Sequence, residues 1–233
     1  MEKGFCNVIL SPLRENEAEN SVMISQVLYG ETFDVLENKG YFSKIKMDFD
    51  KTEAWMDSRH ISPSVENQPK ETITKNFSVY DLPEGRSLLS VGSEVENPPN
   101  NPKKEISRNS VEETASEFLN VPFLLGGRSF FGVDAAGFVQ LVFKVHNVNL
   151  PRTAHLQSEH GEVLSFLEES EAGDLAFFEN SEGEITHVGI VLPNFRIIHV
   201  FDKVRIDELD SSGIFNKDLN RHTHKLRFIK RIF

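Results

Sequence analysis

The feature that most constrains this chain is a proline-rich interruption near its middle. Residues 61–109 include Pro63, Pro69, Pro83 and the run Asn97-Pro98-Pro99-Asn100-Asn101-Pro102. Each proline removes a backbone donor, fixes φ and biases the preceding residue away from the helix, so no long helix or central strand can run through this stretch. Only Phe77 to Leu82 and Leu88 to Val91 read as strands within it. The chain is expected to consist of an ordered part over residues 1–62, a linker with a weak β segment over 63–109, and a second ordered part over 110–233.

The two ordered parts differ in periodicity. Before the interruption, Val8-Ile9-Leu10, Met23 to Leu28, Phe33 to Leu36, Tyr41 to Met47 and Ala54-Trp55-Met56 are short apolar runs. Turn signals at Ser11-Pro12, Gly30 and Asn38-Lys39-Gly40 separate them, the pattern of a small all-β barrel. After it, Ser110-Val111-Glu112-Glu113 has a capping-box pattern, and Val111, Ala115 and Phe118 recur at helical spacing. A second helix is expected from Asp134 as N-cap, with Phe138, Leu141, Val142 and Val145 on one face. Asp174 to Phe178, His187 to Leu192, Arg196 to Val200 and Leu226 to Ile232 then read as strands, with a longer polar loop before the last. The expected class is α+β, with helices first and an antiparallel sheet after them.

Composition excludes several functions. Lys and Arg number 25 against 36 Asp and Glu, a net charge of −11, which argues against a nucleic-acid partner because such binding needs clustered cations. A single cysteine, Cys6, rules out an internal disulfide and cysteine-rich metal sites. No apolar run is long enough for a membrane span. The start, Met1-Glu2-Lys3-Gly4-Phe5, has no signal-peptide pattern, so the expectation is a cytoplasmic chain as written, or the cell envelope if a signal has been trimmed.

Two places carry the chemistry. Gly126-Gly127-Arg128-Ser129 to Asp134-Ala135-Ala136-Gly137-Phe138 is a glycine-rich turn feeding a helix start, where free N–H groups and the positive dipole end would stabilise a thiolate. Alternatively, the glycines only let the chain turn before a core helix. If Pro193-Asn194-Phe195 is a hairpin turn, His199 falls nearly opposite Gly189, and His187 projects from the same face. One imidazole could then orient the other as a base, with Gly189 leaving room, or both could be structural. His155, His160, His222 and His224 read as surface or loop residues, and a metal site built from them has little support. Glu168-Glu169-Ser170-Glu171 reads as a solvated loop, and Lys225, Arg227, Lys230 and Arg231 as the exposed face of the last strand.

Taken together, these motifs resemble the NlpC/p60 cell-wall peptidases, papain-like cysteine peptidases that cut peptidoglycan stem peptides. The resemblance rests on Pro122 to Ser129, Gly132 to Gln140, Leu150-Pro151-Arg152, Gly173 to Phe178, His187-Val188-Gly189-Ile190 and Ile197-Ile198-His199, in the family's order. Pro12-Leu13-Arg14, Gln26 to Glu31 and Trp55 resemble the SH3-type domain of the branch that includes γ-D-glutamyl-L-diamino acid endopeptidases. The resemblance implies an SH3-like β-barrel followed by a papain-like domain, and a degenerate second SH3-like segment within 63–109. It also implies a peptidoglycan stem peptide or muropeptide as partner, and neither cofactor nor metal.

Carried over, His187 matches the general base, His199 the residue that orients it, and Ala135 the nucleophile position where cysteine is expected. Asp134, Ala136, Arg128, Glu31 and Thr52 match substrate-site positions, Thr52 standing where an aromatic residue would wall off the substrate's amino end. An alanine methyl cannot attack a carbonyl. Other departures surround it: Leu125 for the usual Trp, Ala136 for Ser, Thr153 for Asp, Phe201-Asp202 for Ser-Gly, and no Gly-Tyr pair within Lys51 to Trp55. This clustering favours a natural pseudoenzyme that binds a muropeptide or a partner. The alternative is an active cysteine endopeptidase carrying a Cys→Ala change. Cys6, in the first strand-like run, is no substitute nucleophile.

Overall fold

The structure, a computed structural model, describes residues 2–64, 70–82, 85–98 and 101–233. Pro69, Pro83, Pro99 and Asn100 of the proline-rich stretch lie outside the described residues.

The N-terminal part is one antiparallel sheet curled around its own core. Its strands are β1 (Glu2–Cys6), β2 (Leu10–Arg14), β3 (Met23–Leu28), β4 (Thr32–Lys39), β5 (Phe42–Met47), β6 (Glu53–Asp57) and β7 (Ile61–Pro63). They are ordered β3-β2-β6-β5-β4-β1-β7. Period-2 burial makes the sheet one-sided: Ser43, Ile45 and Met47 of β5 turn inward while Phe42, Lys44 and Lys46 face outward. Cys6, Leu13, Val27, Phe33, Ile45, Met47, Ala54 and Met56 form the core.

The proline-rich stretch contains β8 (Glu71–Thr72), β9 (Phe77–Leu82), β10 (Gly85–Ser90) and β11 (Glu94–Val95). β9 and β10 form a hairpin, β8 pairs with β11, and Ile73, Leu89 and Val95 pack beneath Tyr29, Tyr80 and Leu82. Gly30, at φ +80, is what lets this unit reach the barrel: a Cβ there would lie 1.8 Å from the Glu94 carbonyl oxygen.

The C-terminal part begins with α1 (Arg108–Ser116), whose cap is Ser107; Ser110, expected to start the helix, is its third residue and completes the capping box. A ribbon of β12 (Arg128–Ser129) and β13 (Gly132–Val133) leads into α2 (Ala135–Lys144), followed by α3 (Ala154–Gln157) and β14 (Glu162–Leu164). The remaining strands are β15 (Leu175–Glu179), β16 (Ile185–Leu192), β17 (Arg196–Phe201), β18 (Lys203–Asp210), β19 (Gly213–Asn216) and β20 (Arg221–Arg231). The sheet order is β14-β20-β15-β16-β17-β18-β19, with β19 also paired to β20. The expected long polar loop is thus largely the hairpin β18/β19, whose buried polar residues hid its alternation.

α2 is buried from Ala136 to Lys144 and packs with α1 on β16 and β17 through Phe118, Phe138, Leu141, Val142, Val188 and Ile198. Burying each large apolar side chain contributes about 1.5–3 kcal/mol, which fixes the helix against the sheet. No helix among the described residues is long and apolar enough to cross a membrane.

Candidate active site

Asp134 sets the start of α2. Its Oδ1 accepts from Gly137 N at 2.8 Å, its Oδ2 from Gly126 N at 3.0 Å, and Arg152 donates to both oxygens at 3.0 and 2.6 Å. Every acceptor position is in use, so Asp134, expected to face substrate, instead ties the glycine turn and Arg152 to the helix start. Gly137 makes that closeness possible, since a Cβ there would lie 2.2 Å from the Gly127 carbonyl oxygen. Ala135 is the first residue of α2 and packs partly against the core, while Ala136 is buried and its carbonyl accepts from Gln157. Position 135 is therefore where the dipole would favour a thiolate, and it carries a methyl. Thr153 caps α3 by accepting from Leu156 N, the task an Asp would perform there.

The histidine pair meets as its spacing suggests. Pro193, Asn194 and Phe195 form the turn between β16 and β17, the last two with φ of 61° and 52°. His187 Nε2 lies 3.1 Å from His199 Nδ1, and His199 Nε2 lies 3.1 Å from Asp207 Oδ2 on β18. Burial alone would raise the Asp207 pKa, but hydrogen bonds from His199 and Arg205 outweigh it and hold the carboxyl ionised. His199 therefore carries its proton on Nε2, its bare Nδ1 accepts from His187 Nε2–H, and His187 Nδ1 keeps a lone pair. The result is an imidazole oriented by a second imidazole and a carboxylate, an arrangement that can act as a base toward a nucleophile placed beside it. Burial, with the neighbouring His224 and His199, pushes the His187 pKa well below its usual range, and position 135 offers no thiolate to offset a charge there.

Two members of the site escaped the sequence reading. Asp207 comes from the β18/β19 hairpin, where Asn216 also donates to its Oδ2 at 3.1 Å. His224, read as a surface residue, is half-buried on β20 and stacks on His187 with ring centroids 4.0 Å apart and planes 23° apart. Burial, then the neighbouring His199, lowers its pKa to about 4. Phe201, in place of the usual Ser, meets His224 edge-on at 5.6 Å. Asp202, in place of Gly, takes the left-handed φ of 62°. His222, read as a surface residue, is exposed and lies 2.8 Å from Asp210 Oδ2. The basic residues of β20 are not one exposed face, because neighbours on a strand alternate sides: Lys225 and Arg227 meet Glu179, Arg231 meets Asp174, and Lys230 is buried.

Glu31 and Arg128, expected at the substrate, are buried at the barrel's junction with α2. Arg128 donates to Glu31 through two nitrogens at 2.8 and 2.6 Å, Lys144 donates at 2.5 Å, and Leu28 N donates at 2.8 Å. The carboxylate is saturated by its own chain, so it holds the two parts together and has no position left for a ligand amine. Burial alone would raise its pKa, but Arg128 and Lys144 pull it down to about 2. Thr52 lies in the turn after β5, where Asp50 Oδ2 accepts from Gln140 of α2 at 2.9 Å. Cys6 is fully buried in the barrel core, and burial pushes its thiol up to about 12, so it is not a nucleophile.

Comparison with known proteins fits this geometry. Residues 120–223 match the NlpC/P60 family and residues 13–61 the bacterial dipeptidyl-peptidase SH3 domain. The γ-D-glutamyl-L-lysine dipeptidyl-peptidase of Bacillus subtilis is 38% identical over 89 residues, 37% of this chain and 30% of that protein. A probable endopeptidase of Haemophilus influenzae is 36% identical over 91 residues, 38% of this chain and 56% of that protein. The matched segments thus span less than two thirds of either relative. An NlpC/P60 family protein from Bacillus cereus superposes with a TM-score of 0.83 over 99% of both chains at 19% identity. An NlpC/P60 endopeptidase from Photobacterium damselae superposes at 0.70 over 97% of this chain and 70% of that one, at 13% identity. At such identities the likeness is one of fold. Residues 120–223 are therefore an NlpC/P60 family domain, carried behind a bacterial dipeptidyl-peptidase SH3 domain.

Proposed function

We propose that this chain is a non-catalytic member of the peptidoglycan-hydrolase family that holds a stem peptide in the family's cleft without cutting it. The observation that carries the reading is Ala135: the first residue of α2, at the position matched to the family's nucleophile, carries a methyl that cannot attack a carbonyl. The ligand class rests on the relatives, one of which is named for a γ-D-glutamyl-L-lysine bond. The changes around position 135 are consistent with a cleft released from catalysis. Leu125 is 62% exposed and Ala136 carries no hydroxyl. Thr52, on the barrel turn docked to α2, leaves the side toward the ligand's amino end less walled than an aromatic residue would.

A second reading is favoured by one observation, the complete relay of His187, His199 and Asp207. A site with no nucleophile has no need of it, so a cysteine at position 135 would make the chain a cysteine endopeptidase of the same bond. Calorimetric titration with L-Ala-γ-D-Glu-diamino-acid peptides tests the first reading. Binding with recovery of intact peptide supports it. Absence of binding to any muropeptide would remove the stem peptide as ligand and leave a protein partner.

A further inference from the structure

We propose that the cavity between α3 and the bulged strands β16 and β20 takes the side-chain end of the ligand's diamino acid. It selects a side chain ending in both an ammonium and a carboxylate, as diaminopimelate does, over one ending in an ammonium alone, as lysine does. This rests on the stem-peptide reading above and adds the part of the ligand that reading leaves open. The cavity holds about 610 Å³, ample for such a side chain, and its walls include Ser158, Glu184, Ile185, Thr186, Arg227 and Phe228.

Two register shifts shape it. β15 pairs Phe178 with His187 and Glu179 with Ile185, so Thr186 is an extra residue on β16. On its other edge β15 pairs Phe177 with Phe228 and Phe178 with Leu226, so Arg227 is an extra residue on β20. The two bulges flank Phe178 from opposite edges of β15, and the residue each inserts lines the same cavity, the re-aiming that bulges provide beside functional sites. The cavity adjoins the candidate site at two points. Thr186 precedes His187, and Ser158 follows Gln157, whose Nε2 donates to the Ala136 carbonyl at 3.0 Å. Among the described residues none of the barrel lines it, which separates it from the side toward the ligand's amino end.

Charge gives the selectivity. Glu179 Oε1 lies 2.6 Å from Lys225 Nζ and its Oε2 3.3 Å from Arg227 Nε, so two cations share one carboxylate and one positive charge is left over. The Glu179 contact steadies the guanidinium, whose side chain is still 58% exposed, for a bidentate grip on a ligand carboxylate. Glu184 is exposed on the turn between β15 and β16, where Asn180 donates to its Oε2 and accepts from its N, both at 3.0 Å. That carboxylate suits the ammonium. Ile185 and Phe228, partly buried against the core, offer the methylene chain an apolar surface.

The test is calorimetric titration of the full chain with three peptides: L-Ala-γ-D-Glu joined to diaminopimelate, to diaminopimelate amidated on its side-chain carboxylate, and to lysine. The chain that carries Ala135 should bind the first about fivefold more tightly than the other two, in keeping with one charge-assisted contact at a part-exposed site. Arg227→Gln should bring the first peptide down to the affinity of the others and leave those unchanged. Glu184→Gln should weaken all three alike. The comparison of peptides on the parent chain depends on no variant folding. Equal affinity for the three peptides, a preference that survives Arg227→Gln, or parent-like binding by Glu184→Gln would overturn the proposal and leave the stem-peptide reading standing. Absence of binding by all three would overturn both.

Discussion

His187 and His199 meet across one hairpin because Gly189 has no side chain. A Cβ at Gly189 would lie 2.9 Å from His199 Cβ and 2.7 Å from Ile197 Cδ1. Gly189→Ala should therefore push His199 away from His187 and destabilise the fold by about 1–3 kcal/mol, the usual cost of overpacking a filled core. Denaturant unfolding measures this, and unchanged stability would show that the contact is looser than described.

The buried carboxylate at the junction gives a second prediction. Glu31→Gln leaves Arg128 and Lys144 without their shared anion and should cost about 3–5 kcal/mol. The same pairing sets an acid limit. The Glu31 pKa is about 2 in the fold, below the ordinary 4.5, so its contribution is present above pH 4.5 and is lost as pH falls toward 2. Unfolding followed between pH 5 and pH 2 should show a slope that Glu31→Gln removes; equal slopes in both chains would contradict it.

What the sequence made legible was local. Asp134 as a cap follows from the residue type before an apolar period, and the His187–His199 pairing follows from one hairpin with a short turn. Asp207 and His224 depend on strands β18 and β20, whose registers no short-range pattern specifies. His224 reaches His187 through a sheet in which β15 shifts register against β20 between Phe177 and Phe178, and such bulges leave no mark in the sequence. Glu31 and Arg128, matched to substrate-site positions through the resemblance, are residue types that suit a ligand amine as well as a buried pair. Only the packing of the barrel against α2 decides which partner they take.

Phe195 offers a third prediction. It is 52% exposed and sits at φ 52° in the three-residue turn 193–195, a left-handed conformation costly for a bulky side chain and natural to glycine. Phe195→Gly should raise stability by up to about 1 kcal/mol, seen as an increase of a few degrees in Tm. A lower Tm would mean that the ring makes contacts worth more than the strain.

The relay gives a fourth. If His187, His199 and Asp207 form a competent base, Ala135→Cys should produce hydrolysis at the γ-D-Glu to diamino-acid bond at least about a hundredfold above background. Adding Asp207→Asn to Ala135→Cys should lower that rate again by freeing the His199 tautomer. An inert Ala135→Cys would locate further losses at Leu125, Ala136 and Thr52.

The most direct measurement incubates L-Ala-γ-D-Glu-diaminopimelate with the chain as written and with Ala135→Cys, and resolves the products by mass spectrometry. Intact peptide, bound and recoverable, is expected from the chain that carries Ala135, and cleaved peptide from the variant. Cleavage by the chain that carries Ala135 would contradict it.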